Sequence, residues 1–301
     1  MEKLLKWAIL NSATAGEDTT KPSAPQRTLK DLDPGIIDVI LGKDDAAVMR
    51  EIMEKLEDPD VDVEQKEVLF EDLEMLVGHI DNAQNLVPLK MWPRVLAFLD
   101  APEPEVRLGG AWIAGTSVQN NPKAKLAFIQ EDGLPRVLDR LQQDEDADVR
   151  AKALYCLSSL LQNAPPVVEL FATKGGYDAL LCVLQQDTVG LQRKTLFLLH
   201  QLAIQCPEEH LPEVRRRPFI SEIVRLVDSK QDDEDLVEKA LRALAEIHVP
   251  QPATTAADTA DSQLTDALAK LRNIYPSLRS RYESEGALSA DEWDRVAMLT
   301  V

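Results

Sequence analysis

Loops of glycine that cradle phosphates are missing from this chain: neither GxxxxGK[ST] nor GxGxxG occurs. The GxSxG elbow of serine hydrolases is missing too. The four histidines, His79, His200, His210 and His248, have no metal-ligand spacing and read as surface or helix-flank residues. Only three cysteines are present, Cys156, Cys182 and Cys206, and none forms a CxxC pair. That usage points to reduced thiols and a cytoplasmic protein. No run of about 18 apolar residues exists, so no membrane span is expected. Basic residues are in short supply, with 33 Lys and Arg against 52 Asp and Glu and a formal charge of −19. Phosphate backbones and anionic lipids repel such a surface, so neither nucleic acid nor membrane is an expected partner. Catalysis, cofactors and metals are not expected. Residues 1–10, MEKLLKWAIL, are apolar but too short and too charged for a secretory signal.

What the chain does contain is a repeat. A shift of 43 lays Val106 on Val149, Arg107 on Arg150, Gln119 on Gln162 and Asn120 on Asn163. The same shift lays Pro122 on Pro165, Phe128 on Phe171, Gly133 on Gly176 and Leu141 on Leu184. A period near forty, with apolar residues three and four apart inside it, predicts an all-α protein, an armadillo-repeat right-handed α-solenoid. Long helices are expected near 63–80, 106–120, 149–162, 191–204 and 236–247, each followed by two short ones. Gly133 and Gly176 are expected at corners that need a left-handed backbone. Residues 1–35, rich in Thr, Ser, Pro and charge, read as a flexible N-terminal leader. The armadillo domain is expected over 36–248, and 249–301 as a linker (250–263) with a C-terminal helical tail. A helix is expected from 264 to about 275, and another near 291–299. Arg215, Arg216 and Arg217 read as a solvated repeat corner. A capped, asymmetric solenoid is expected to be a monomer.

Stacked repeats turn equivalent positions into ladders. Trp112, Tyr155 and Phe197 form an aromatic one. One turn later come Thr116, Ser159 and Gln201; one turn earlier come Gly109, Lys152 and Lys194. The aromatics suit either anchors for a protein partner or packing between units. The polar row lacks the asparagines with which armadillo importers and catenins grip extended peptides, which disfavours that mode of capture.

Three strings carry a resemblance beyond the repeat: MEKLLKWAI at the start, FEDLEMLVGHIDNAQNLVPLKMWPRVL from Phe70 to Leu96, and GTSVQNNPKAKLAF from Gly115 to Phe128. They resemble the fungal Fes-type and animal HspBP-type armadillo nucleotide exchange factors of cytosolic seventy-kilodalton heat-shock (DnaK-like) chaperones. The resemblance implies a cytosolic co-chaperone that binds the chaperone's nucleotide-binding domain and speeds ADP release. It implies partner contacts at Asp81, Asn82 and Ala83, which are expected to close the first long helix, small Ala83 allowing close approach. It implies further contacts at Asn120 and Asn121, which are expected to close the second long helix and for which helix C-capping is the alternative, and at Lys194. Trp112 and Tyr155 join them as anchors; Glu71 and Glu74 are weaker candidates. In the N-terminal segment, Leu4, Leu5, Trp7 and Ile9 between Lys3 and Lys6 look like a client peptide of this chaperone class. The segment then acts as a tethered competitor, or else docks as a short helix on the first repeat. A general armadillo scaffold with another partner stays open beside the exchange-factor reading.

Overall fold

The computed structural model describes residues 44–186, 188–247, 262–283, 286 and 288–300. The expected leader, the linker and His248 lie outside them. All regular structure among the described residues is helical. The chain divides into residues 1–51 and residues 52–301. In the first unit the described residues open helix α1 (Asp45–Glu57), where the Asp44 carboxylate accepts the Ala46 N–H at 3.4 Å.

The second unit is a stack of three-helix repeats. Five long helices form one layer: α2 (Val63–Val77), α5 (Pro104–Val118), α8 (Ala147–Leu161), α11 (Val189–Gln205) and α14 (Glu234–Ile247). Each packs on the next. Short helices α3 (Ile80–Asn85), α6 (Pro122–Gln130), α9 (Pro165–Thr173) and α12 (Pro207–Arg215) follow the first four. Closing helices α4 (Trp92–Phe98), α7 (Gly133–Gln143), α10 (Gly176–Gln186) and α13 (Phe219–Ser229) complete the units. Proline opens α5, α6, α9 and α12, where its missing N–H has no intrahelical partner to lose. Asp62 and Asp146 cap α2 and α8 with their carboxylates.

The repeated residues have repeated work. Arg107 on α5 grips the Asp144 carboxylate of the next unit with Nε at 2.7 Å and Nη2 at 2.9 Å. Its Nη1 donates to the Ala101 and Pro102 carbonyls ahead of its own helix. Arg150 makes the matching pair of bonds to the Asp144 and Glu145 carbonyls. Arg193, a further 43 residues on, holds Asp233 at 2.6 Å. Phe128 and Phe171, fully buried, fill each unit's centre, about 2–3 kcal/mol apiece.

The paired glycines do not serve the left-handed turn expected of them. At that corner the positive φ belongs to the preceding residue: Lys90 at 55°, Asp132 at 56° and Gly175 at 78°. Gly133 and Gly176 instead open their helices against a ring. A Cβ on Gly133 would lie 2.4 Å from Phe128, and one on Gly176 2.3 Å from Phe171. The second left-handed point of each unit is Asn120 at 51° and Asn163 at 50°.

Two helix bounds also differ. The first long helix stops at Val77, because Gly78 caps it and extended His79 (ψ 128°) restarts the chain as α3. The helix expected to end near Tyr275 runs through Pro276 as α15 (Ser262–Tyr282). Its buried stripe of Leu271, Tyr275, Leu278 and Tyr282 continues past the proline and offsets one lost hydrogen bond. α15 packs on α13, and α16 (Ala290–Met298) packs on α14, so the tail caps the stack. Ser289 and Glu292 close a capping box at the start of α16. Arg217 is not a solvated corner: it pairs with Asp178 and Glu213, both at 2.6 Å, and its guanidinium lies 5.7 Å from the Tyr177 ring centre. Arg215 and Arg216 are exposed, Arg215 donating to the Ile247 carbonyl and Arg216 pairing with Glu213.

Candidate functional site: the long-helix face and its corner

The long helices present one continuous face, because residues three and four apart share a side and each helix repeats the last. Gly115 lets α8 approach α5: a Cβ there would lie 2.6 Å from the Tyr155 ring. The close approach lets Tyr155 Oη meet Thr116 Oγ1 at 3.1 Å, and Thr116 donates to Glu74 at 2.9 Å. Three successive long helices are thus joined by one chain of hydroxyls and a carboxylate. Lys152 places its ammonium 3.9 Å from the centre of the Trp112 ring. Burial lowers the Lys152 pKa; Glu74 opposes that shift and Lys194 adds to it. Phe197, the last rung, is open to solvent at 48% exposure.

Two adjoining cavities line this face and share Tyr155, Ser158 and Phe197. The larger, about 700 Å³, carries Lys152, Arg193 and Lys194. Arg193 is engaged by Asp233, but Lys194 has no ion pair among the described residues. The smaller, about 210 Å³, carries Gln119, Gln162 and Gln205. No group of three His, Cys, Asp or Glu side chains is placed to hold a metal among the described residues. No described helix is long and apolar enough to cross a membrane.

The expected contact residues fall into three sets. Trp112, Tyr155 and Lys194 come together on the long-helix face, with Trp112 and Tyr155 half-buried and Lys194 exposed. Asp81 and Asn120 are exposed at the corner where long helices end. Asn82, Ala83 and Asn121 are inside. Ala83 is 1% exposed, on α3 and not at the end of the first long helix, so the expectation that it admits a partner's close approach is corrected: its small size serves internal packing. Asn82 donates to the Leu76 carbonyl at 3.1 Å. Asn121 caps α6 through Ala124 N–H and donates across the repeat to the Ile80 carbonyl at 3.1 Å. The C-capping alternative thus describes Asn120, whose left-handed φ of 51° closes α5 after Gln119, while Asn121 is the N-cap of α6. Of the weaker candidates, Glu71 is exposed and Glu74 is the acceptor of the hydroxyl chain. Leu4, Leu5, Trp7 and Ile9 lie outside the described residues.

The histidines also need correcting. His79 is exposed and His200 half-buried, but His210 is fully buried, with Nδ1 2.9 Å from Tyr177 Oη. Burial pushes its pKa down to about 3. Sequence pattern missed the contact of Lys152 with the Trp112 ring.

The profile of the family described as nucleotide exchange factor Fes1 matches residues 1–86, and that of the SIL1/FES1/HPBP1 C-terminal domain matches residues 82–211. An Hsp70 nucleotide exchange factor fes1 of Schizosaccharomyces pombe is 36% identical over 248 residues, 81% of this chain and 85% of that protein. The Saccharomyces cerevisiae Hsp70 nucleotide exchange factor FES1 is 30% identical over 257 residues, 82% of this chain and 86% of that one. Among solved structures, a designed armadillo repeat protein in complex with the peptide (KR)4 superposes with a TM-score of 0.63 at 14% identity, covering 84% of this chain and 99% of that one. The structural likeness shows the armadillo fold.

Proposed function

The chain belongs to the Fes1 family of Hsp70 nucleotide exchange factors, and from that premise we propose that it binds the nucleotide-binding domain of a cytosolic Hsp70 and accelerates ADP release. The observation that carries the reading is the family match, which runs from residue 1 through 211 and so takes in the N-terminal segment, the corner and most of the long-helix face. The protein does no covalent chemistry in this reading. It binds the open, nucleotide-poor arrangement of the chaperone best, so factor and ADP weaken each other reciprocally. Each tenfold weakening of ADP requires about 1.4 kcal/mol of differential contact. Exposed Asp81, Asn120 and Lys194, with half-buried Trp112 and Tyr155, form the contact surface; Asn82, Ala83 and Asn121 hold its corner in shape from beneath. Leu4, Leu5, Trp7 and Ile9 act as a tethered competitor for the client site.

Stopped-flow release of labelled ADP from the chaperone, with and without this protein, tests the reading. Acceleration is expected; an unchanged release rate overturns it. A peptide of residues 1–12 is expected to displace a model client, and failure to do so removes the competitor role alone.

A further inference from the structure

We infer that the long-helix face is also a seat for an extended acidic polypeptide, whose backbone is gripped by the side-chain amides of Gln119 and Gln162. Each glutamine follows a long helix, α5 or α8, at the same point of the repeat. Their backbones are nearly superposable: φ −64° and ψ 122° at Gln119, φ −58° and ψ 123° at Gln162. Each is followed by a left-handed asparagine, Asn120 at 51° or Asn163 at 50°. Equal backbone geometry sends the two side chains out in the same direction, and both line the same groove of about 210 Å³. Neither side-chain amide makes a hydrogen bond among the described residues. The third rung, Gln205, is engaged: its Oε1 accepts the Asn163 N–H at 3.1 Å and its Nε2 donates to Gln201. The ladder therefore has two free rungs and a fixed end.

A primary amide offers an acceptor and two donors, so it can meet the N–H and C=O of one peptide unit at once. Packed helices lie about 8–10 Å apart, and an extended chain rises about 3.3 Å per residue. One amide thus meets every third residue. The absent asparagine row at Thr116 and Ser159 has its function carried three residues further along each helix, at Gln119 and Gln162.

Charge chooses the occupant. In a chain of net charge −19, the neighbouring cavity is locally basic, with Lys152, Arg193, Lys194 and Lys239 against Asp148 and Asp235. Arg193 and Lys239 are engaged by Asp233 and Asp235, whereas the Lys152 ammonium rests on the Trp112 ring and Lys194 has no ion pair among the described residues. The Lys194 charge acts to lower the Lys152 pKa, so the two cations repel. Carboxylates on the guest relieve that repulsion, and Tyr155 with exposed Phe197 forms an apolar floor for its alternate side chains. The seat overlaps the proposed chaperone contact at Tyr155 and Lys194, so the two occupants exclude each other.

The test uses the full chain without any chaperone, so it is read independently of ADP exchange. The probe is a fluorescein-labelled nonapeptide of alternating glutamate and leucine, followed by anisotropy. Saturable binding is expected, weakened at least tenfold in the Gln119→Ala, Gln162→Ala double variant, whose thermal melt stays that of the parent because both side chains are outside the core. A probe N-methylated at every third peptide bond is expected to bind at least tenfold more weakly, and a lysine–leucine probe not to bind. Absence of saturable binding up to millimolar probe overturns the inference. So does wild-type affinity in the glutamine variant, for the N-methylated probe or for the lysine probe.

Discussion

The ammonium of Lys152, on α8, stands 3.9 Å from the centre of the Trp112 ring on α5. A cation held this way contributes about 1 kcal/mol and, here, ties one repeat to the next. The three aromatic rungs are unequally covered. Trp112 is half-shielded by a lysine, Tyr155 fills the space left by Gly115, and only Phe197 is open. Trp112 and Tyr155 pack between repeats while keeping a half-exposed side, and Phe197 is the most exposed of the three rungs.

Lys194 is exposed on α11 and Ala83 is buried on α3, so a change of charge has different outcomes at the two. Lys194→Glu is expected to leave helicity and melting temperature unchanged and to cut the acceleration of ADP release at least tenfold. Ala83→Arg forces a charge into a closed site, at a cost of several kcal/mol. Circular dichroism melts check both. A stable Ala83→Arg protein would place that residue at the surface after all.

Gly133 and Gly175 separate two uses of glycine. An added methyl on Gly133 meets the Phe128 ring at 2.4 Å, whereas Gly175 has φ of 78° and nothing within 4 Å. Gly133→Ala is expected to destabilise by about 2–3 kcal/mol through overpacking, and Gly175→Ala by about 1 kcal/mol through backbone strain alone. Urea denaturation ranks them. The reverse order would restore the left-handed role to the first glycine.

Much of the fold was legible because it is periodic. Arg107 with Arg150, Phe128 with Phe171 and Pro122 with Pro165 mark equivalent points of one stacked unit, and the structure gives each pair the same contacts or the same place. Asp81, Asn82 and Ala83 were misplaced because Gly78 breaks the first long helix, and a glycine within an apolar pattern does not announce whether it interrupts or is tolerated. The inward turn of Asn82, Ala83 and Asn121 was not legible because Asn82 reaches back to Leu76, Ala83 is buried beside it and Asn121 crosses the repeat to Ile80, and sequence spacing carries no such direction. His210 escaped for a similar reason: its partner Tyr177 is 33 residues away.

Asp144 binds Arg107 from a carboxylate that is 1% exposed. Burial raises its pKa, but the Arg107 hydrogen bonds, the Asp146 N–H and the nearby guanidinium charges outweigh that, and the group titrates below the usual carboxylate range. A depressed folded pKa means stability that is full above the unfolded value, about 3.9, and lost as pH falls through the folded one. Asp144→Asn leaves Arg107 without its counter-charge and is expected to cost about 3 kcal/mol at neutral pH. The gap between parent and variant should narrow only below about pH 4. A constant gap down to acid would detach the ion pair from the stability.

His210 gives the same sign in a higher pH window. Its imidazole, buried beside Tyr177, is driven from 6.5 down to about 3 by burial, with the Leu199 carbonyl opposing. Between those values the unfolded chain takes up a proton that the folded chain refuses. Stability from this group is therefore complete above about pH 6.5 and falls as the solution is acidified, by up to about 1.4 kcal/mol per pH unit. Asp144 and the other paired carboxylates contribute only at lower pH, so the range from 6.5 to 5 isolates the histidines. His200, also lowered by burial, adds a slope of the same sign, and the measurement is for that reason a difference. His210→Phe is expected to cost a fixed 1–2 kcal/mol, roughly the bond lost by Tyr177, and to flatten the pH dependence over that range. The Tyr177 hydroxyl, whose pKa burial raises, stays neutral throughout and adds no slope. Chemical denaturation at pH 7, 6 and 5 reads the effect; equal slopes in parent and variant would mean that His210 accepts its proton in the folded protein.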